Sequence, residues 1–426
     1  HAPRSKAGVY AVRQAPILHH NLRTVISGQK ALRRYQPQND YLKLISLGGQ
    51  SALAERVGLA LAGPSLWGLK DWIDQRFMAQ FKTWPLRTAP FRPWPRAAGA
   101  DEVPTDPLCA GCGAKVGSSS LTKALGSGDT LGDDAALLET GGVQQVISTD
   151  HLRGFCEDPV TVARVAASHA LGDIWAMGAA PQAALAQIVL PRQSPVLAER
   201  ALTEIMAAAR QVMAEAGAEI VGGHSTQGSE LIIGFTVTGI CARAPLTLAG
   251  AQPGDALILT KPLGSGVLMA AEMQARAEGA DIAAAYLLMS QSQAAAADIL
   301  QGAHAMTDVT GFGLAGHSRA ICLASKVGAE LWSDKAPLMS GALDLAECGI
   351  RSTLFGENKA PFAAVPDTPR HDLMFDPQTG GGLLAAAPWD ETEGGSGYVT
   401  RLKKAGYDAA LIGRVTDDVP GSLSIL

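Results

Sequence analysis

Between residues 82 and 107 the chain reads KTWPLRTAPFRPWPRAAGADEVPTDP, with six prolines in the stretch. Proline lacks a backbone N–H and fixes φ, so a run spaced like this enters neither a packed helix nor a central strand. Residues 83–106 are therefore expected to be a linker. The chain divides into a short piece, 1–82, and a long one from 107 onward. At 426 residues it is long enough for two or three domains with separate cores.

The short piece carries its own signals. AGVYAVRQAPILHHNLRTVISGQKAL predicts a short strand, a turn at Pro16 and then an amphipathic helix. DYLKLISLGGQSALAERVGLALAG predicts two short apolar strands around a glycine turn, and WGLKDWIDQRFMAQF a helix. So few elements make a poor independent domain.

From Pro107 strands and helices alternate, which points to a mixed α/β protein. QQVISTD, LAQIVLP and LIIGFTVTGICA read as strands. DPVTVARVAASHALGDIWAMGA reads as a helix with Asp158 at N-cap and Pro159 at N1. VLAERALTEIMAAARQVMAEAG is a second helix, closed by Gly217. A further cluster begins near GDALILTKPLGSG, with helices around 265–300 and 314–327 and strands in GGLLAAAP and DAALIGRVT. The break near 243–254 gives expected domains 107–245 and 246–426.

Composition narrows the function classes. Apolar residues are 47% and charged ones 18%, as in a globular protein, and the net charge of −5 argues against a general nucleic-acid coat. No apolar run approaches the roughly 20 residues of a membrane span, and HAPRSKAG has no signal-peptide core. Six scattered cysteines suit a reducing, cytoplasmic setting. Opening on His1, the chain reads as the trailing part of a longer protein.

Four aspartates stand out. Asp134 closes LGDD before an apolar run, and Asp150 ends the strand QVISTD, where ligand-facing residues gather in α/β layers. Asp173 lies one helical turn after His169 on a half-buried face, and Asp308 sits in MTDVTGFGLAGH at a strand end. A buried carboxylate needs a cation or donors. Acids on separate elements suit Mg²⁺, which takes oxygen ligands and shares its shell with phosphates. VGGHSTQGSE places Gly222, Gly223, His224 and Ser225 after a strand, where free N–H groups could cradle an anion. GSGVLM after LILTKPL is a helix lead-in, since Met269 stands where a dinucleotide fingerprint needs Gly or Ala. DPQTGGGLL is a glycine turn into a strand. CAGCGAKVG sets Cys109, Cys112 and Lys115 among glycines. Spacing alone leaves zinc, a redox pair, a nucleophile beside Lys115 and an inert loop all open.

Together GCGAKV, DDAALL, ISTD, HALGDIWAMGAAP, VGGHS, LTKPLGSGVL, MTDVTGFGLAGH and DPQTGGGLL, in this order, resemble the selenophosphate synthetases, or selenide, water dikinases. The resemblance covers 107–426. Related ATP-using enzymes, among them aminoimidazole ribonucleotide synthetase and thiamine-monophosphate kinase, share the acidic motifs but lack the glycine–cysteine–lysine segment. The resemblance implies an aminoimidazole ribonucleotide synthetase-like two-domain fold. It implies a homodimer, and conversion of ATP, selenide and water to selenophosphate, AMP and orthophosphate. By motif, Cys112 matches the active-site cysteine and Lys115 the essential lysine. Asp134, Asp173 and Asp308 match metal ligands for Mg²⁺. Lys115, Leu131, Gly132, Asp133, Asp150 and Asp173 match positions touching ATP, and Gly223, His224 and Ser225 a loop reaching nucleotide across the dimer. His169 stands where many relatives have asparagine and is taken as structural or supporting. Phe375 stands where cysteine is frequent, Gly380 where serine is usual, and Cys109 is additional. A relative phosphorylating another small molecule, or a cysteine-based redox or metal carrier, is the alternative.

AGVYAVRQAPILHHNLR is similar to the segment lying against the flavin in pyridine nucleotide–disulfide oxidoreductases of the NADH-dehydrogenase type. Residues 1–82 thus resemble the C-terminal tail of such an enzyme. Neither nucleotide-binding glycine motif is present, so FAD binding by this chain is not expected.

Overall fold

The computed structural model describes residues 8–26, 30–79, 109–116, 132–389 and 397–426. The proline-rich linker and Leu131 lie outside the described residues. Two compact units emerge, His1–Thr105 and Asp106–Leu426.

In the first unit, Gly8–Ile26 forms one helix, α1, with Pro16 inside it. This corrects the expected strand and turn. Proline costs a helix one backbone bond and a steric clash, but residues on both sides favour continuation. The far end is fixed by Asn21, whose Oδ1 accepts from Arg33 N while its Nδ2 donates to Arg33 O, each at 2.8 Å. Three strands follow rather than two: β1 (Lys43–Gly48), β2 (Ser51–Arg56) and β3 (Leu59–Gly63), antiparallel in that order. The second turn, Val57–Gly58, has φ of 53° and 77°. Positive φ at both central residues matches the twist of a two-residue hairpin. Helix α2 (Pro64–Ala79) is the last described element of the unit.

Among the described residues the second unit holds two sheets. One has the order β4-β5-β8-β6-β7, from β4 (Ala136–Thr140), β5 (Val143–Arg153), β6 (Ala180–Pro191), β7 (Glu219–Gly228) and β8 (Ile232–Ile240). Against it packs α3 (Pro159–Ala176), together with α4 (Pro195–Glu215). As expected, Asp158 caps α3, accepting from Val160 N and Thr161 N, and Pro159 takes the first turn. Thirteen of its eighteen residues are buried, a helix apolar nearly all round and therefore covered on several sides. The other sheet runs β10-β12-β9-β13-β11-β14, with β9 (Ala256–Leu259), β10 (Ala305–Asp308), β11 (Gly328–Leu331), β12 (Leu383–Ala387), β13 (Ala410–Thr416) and β14 (Leu423–Ile425). All four residues of β9 and all five of β12 are buried. Helix α3 also touches β10, and this contact joins the halves of the unit. No helix among the described residues is long and apolar enough to cross a membrane.

Two local expectations change. Asp150 does not end its strand, which continues to Arg153. Gly222–Ser225 is no loop after a strand but the middle of β7, because it pairs residue by residue with Leu185–Ile188 of β6.

Candidate active site

Two short-range rules build one wall of the site. On β5, Ser148 and Asp150 are two residues apart and share the face turned to α3. On α3, His169 and Asp173 are one turn apart and share the face turned to β5. Ser148 Oγ donates to Asp173 Oδ2. Asp150 Oδ2 lies 2.9 Å from His169 Nε2 and accepts from Lys115 Nζ at 3.0 Å. Burial alone would raise Asp150, but His169 and Lys115 outweigh it and hold the carboxyl far below the usual range.

Asp308, the last residue of β10, and Asp134, in the bend before β4, bring two more carboxylates. One oxygen from each of Asp134, Asp173 and Asp308 lies within 4.8 Å of the others. Thr307 Oγ1 donates to Asp134 Oδ1 at 2.8 Å and so sets its direction. Burial, then mutual repulsion, pushes these acids up. Asp173 rises to about 8 under burial and the charge of Asp308, Asp308 to about 7 under burial and Asp134, and Asp134 well above its ordinary value. An all-oxygen set of this kind, whose burial and mutual repulsion outweigh the nearby charge of Lys115, fits a hard divalent cation.

Asp308 reaches this place because α3 has no side chain at Gly172. A Cβ there would stand 2.5 Å from Asp308 Oδ2. Gly172→Ala is therefore expected to displace the carboxylate and cost about 1–3 kcal/mol of stability. It should also reduce any rise in melting temperature that Mg²⁺ gives the wild type. Calorimetry with and without Mg²⁺ checks both effects, and an unchanged metal-dependent shift would count against the arrangement.

Cys112 lies on a 3₁₀ turn, Gly111–Ala114, and is fully buried. The turn is pinned at two points distant in sequence. Cys112 N donates to Thr379 Oγ1 at 2.9 Å, and Cys109 N to Thr353 Oγ1 at 3.0 Å. Gly111 has φ +62°, and a Cβ on it would meet Thr379 Oγ1 at 2.6 Å, so the turn requires glycine there. The buried Cys109 completes the second pin, its Sγ accepting from Thr353 N at 3.3 Å. Cys112 Sγ ends 3.1 Å from His169 Nε2. Burial works against the charge on Lys115, but the charges of Cys112, Asp150 and Asp173 prevail and raise it well above an ordinary lysine. Its side chain stays 31% exposed, so water softens that shift.

The structure thus joins Cys112, Lys115, Asp150, Asp173, Asp134 and Asp308. The remaining candidates stand differently. Asp133 is exposed, and its Oδ1 accepts from Leu248 N at 3.0 Å; Gly132 beside it is also exposed. Gly223 shares a cross-strand row with Asp150, through Phe235 and Ala186. Three strand spacings separate them, about 14 Å. Side chains alternate along β7, so His224 points away from the side that Gly223 and Ser225 share. These three do not reach the acids of their own chain.

Several contributors escaped the sequence reading. Ser148 could have been suspected from its position two before Asp150. Thr307, Thr353 and Thr379 could not, because a hydroxyl carries no pattern naming its partner. Lys261 is buried in LTKPLGSG, donates from Nζ to Gly380 O at 3.0 Å, and is brought down to about 7 by burial against the pull of Asp308. In DPQTGGG, Gln378 Oε1 accepts from Gly264 N and Ser265 N, so this glycine turn caps the helix Ser265–Met273.

Residues 132–241 match the family described as AIR synthase related protein, N-terminal domain, and 252–425 match AIR synthase related protein, C-terminal domain. Selenide, water dikinase of Myxococcus xanthus (strain DK1622) is 35% identical over 339 residues, 74% of this chain and 94% of the relative. The protein of that name from Desulfitobacterium hafniense (strain DSM 10664 / DCB-2) is 36% identical over 326 residues, covering 72% and 94%. Among solved structures, AaThiL complexed with AMPPCP and TMP shares the fold, with a TM-score of 0.54 and 20% identity over 72% of this chain and 91% of that one. With both of its domains matched and relatives above 30% identity spanned almost end to end, this chain belongs to the selenide, water dikinase family.

Proposed function

We propose that this chain makes selenophosphate from ATP, selenide and water, releasing AMP and orthophosphate, as a phosphotransferase of the selenide, water dikinase family. One observation carries the reading: a turn bearing Cys112 and Lys115 lies against the Asp150 wall of a three-carboxylate cluster. Phosphoryl transfer needs charge neutralisation and alignment, and this arrangement offers both. Asp134, Asp173 and Asp308 would hold Mg²⁺, which when bound supplies positive charge to phosphate oxygens. Lys115, with its partly open side chain, is assigned to the phosphates as well. Leu131, Gly132, Asp133, Asp150 and Asp173 are assigned to ATP, in keeping with the ATP analogue AMPPCP carried by AaThiL. Cys112 is assigned to the selenium step.

Within this reading, 107–245 is the ATP- and metal-binding domain and 246–426 the second synthetase domain, and the setting is cytoplasmic. The protein works as a homodimer in which Gly223, His224 and Ser225 serve the partner's nucleotide. The distance of β7 from its own acids supports this, as do Leu185 and Val221, exposed on β6 and β7. A monomeric mass by light scattering at working concentration would remove it. Residues 1–82 are assigned to the tail of an NADH-dehydrogenase-type oxidoreductase. A longer fusion without NADH-dependent reduction of a selenium compound would leave that tail without a task.

The test is phosphorus NMR with ATP, Mg²⁺ and selenide under anaerobic reducing conditions, wild type beside Cys112→Ala. A product with phosphorus–selenium coupling, formed with AMP and lost in the variant, is expected. ADP without that product would instead favour a small-molecule kinase of the same fold.

A further inference from the structure

His169 is left without a task by the motif assignment. It is 2% exposed, and its two ring nitrogens are served unequally. Nε2 stands 3.1 Å from Cys112 Sγ and 2.9 Å from Asp150 Oδ2, whereas Nδ1 is buried with no hydrogen-bond partner among the described residues. Buried structural histidines ordinarily satisfy both nitrogens, and the partner on one fixes the tautomer of the other. Among the described residues nothing behind the ring competes, and sulfur and carboxylate both face Nε2.

A carboxylate only accepts, so a neutral ring with its hydrogen on Nδ1 would turn a bare lone pair on Asp150, and the contact is made good once Nε2 gains a hydrogen. That hydrogen also faces Cys112, which must then accept rather than donate, and a thiolate accepts far better than a thiol. The groups around the ring allow it: Cys112 and Lys115 from the 3₁₀ turn, Asp150 from β5 and Asp308 from the end of β10. With the sulfur ionised, two cations (Lys115 and His169) meet two anions (Cys112 and Asp150).

We propose that His169 is a positioning residue that takes the proton of Cys112 onto Nε2 and keeps the sulfur as a thiolate, aimed and ready to react. Starting from the Nδ1–H tautomer, the S–H bond breaks as the Nε2–H bond forms, leaving a thiolate and an imidazolium, and no oxidant or reductant is involved. Burial opposes a charged ring, but Cys112 and Asp150 overcome it and raise His169 well above an ordinary histidine. The inference deepens the assignment of Cys112 to the selenium step and rests on it.

The thiolate ultraviolet band tests it without ATP or selenide. The wild-type spectrum minus that of Cys112→Ser, at neutral pH, should show about one thiolate per chain. Cys156, Cys241 and Cys322, all raised by burial, add little background, and Cys109 and Cys348 cancel in the difference. His169→Asn keeps an N–H donor but no titrating ring, and should lower the band about tenfold. No Cys112-dependent band in the wild type overturns the proposal, as does a His169→Asn spectrum equal to wild type. Should His169→Asn fail to fold, the wild-type difference decides alone. A full band in a protein that yields no phosphorus–selenium product would fell the synthetase reading and leave this inference standing.

Discussion

Asp308→Asn is expected to abolish ATP turnover and yet make the metal-free protein harder to melt. Asp308 is 3% exposed, and burial followed by the charge of Asp134 raises it to about 7. An unfolded aspartate titrates near ~3.9, so the native state holds this proton more tightly than the unfolded one does. Between those two values each step up in pH removes stability, and above about 7 the whole penalty is present. Asparagine has the same shape and no charge, so the variant escapes it. Two charges about 5 Å apart interact by at most about 3 kcal/mol at an effective dielectric near 20, and partial protonation reduces the recoverable part to about 1–2 kcal/mol. That corresponds to a few degrees in melting temperature, seen at pH 8 and fading towards pH 5. Activity moves the other way, by about 10³-fold or more, since one of the three oxygens proposed to hold a divalent cation loses its charge. Calorimetry of metal-free protein at both pH values, beside an ATP turnover assay with Mg²⁺, reads the two effects. A metal-free variant no more stable than wild type at pH 8 would mean the three acids are not in conflict.

What could be read beforehand in this chain was whatever local chemistry dictates. Asp158 and Pro159 announced the start of α3, because capping and the first helical turn use only neighbouring atoms. The helical period put His169 and Asp173 on one face, and the glycines after Asp308 marked a strand end. Pro16 misled because its cost is local while the helix around it is cooperative, so good formers on both sides carried the chain through. Gly222–Ser225 misled in the opposite sense. Its glycines suggested an open loop, but pairing with β6 settles strand identity, and pairing is a tertiary fact. The same limit hid the linkage of the Cys112 turn. Its anchors, Thr353 and Thr379, lie 244 and 267 residues from the donors they receive. His169 looked supporting for a related reason. Its importance lies in what stands opposite it, and neither Cys112 nor the strand carrying Asp150 is near it in sequence.

Replacing Lys115 should separate catalysis from stability most cleanly. Nζ donates to the same Asp150 oxygen that meets His169, so in Lys115→Met that carboxylate keeps one cationic partner and the wall should stand. With a third of the lysine side chain open to water, the lost ion pair is worth no more than about 1 kcal/mol. On the proposed assignment of Lys115 to the phosphates, catalysis loses far more. A positioned cation facing developing charge in a partly enclosed site contributes about 10²–10³-fold in rate, and no neighbouring lysine on the 3₁₀ turn replaces it. Lys115→Arg should rescue little, since the stem passes Gly311 so closely that a Cβ there would lie 2.9 Å from Lys115 Cδ, and a planar guanidinium needs a wider slot. The split between constants gives the decisive reading. If Lys115 meets the phosphoryl group chiefly in the transition state, kcat falls and KM for ATP is nearly unchanged; if it clamps the resting nucleotide, KM rises and kcat survives. The geometry favours the first, because Asp150 already holds Nζ before any nucleotide arrives. The lysine then leaves an existing partner only for the stronger charge that appears as the phosphoanhydride bond breaks, and wild-type kcat in Lys115→Met would refute this.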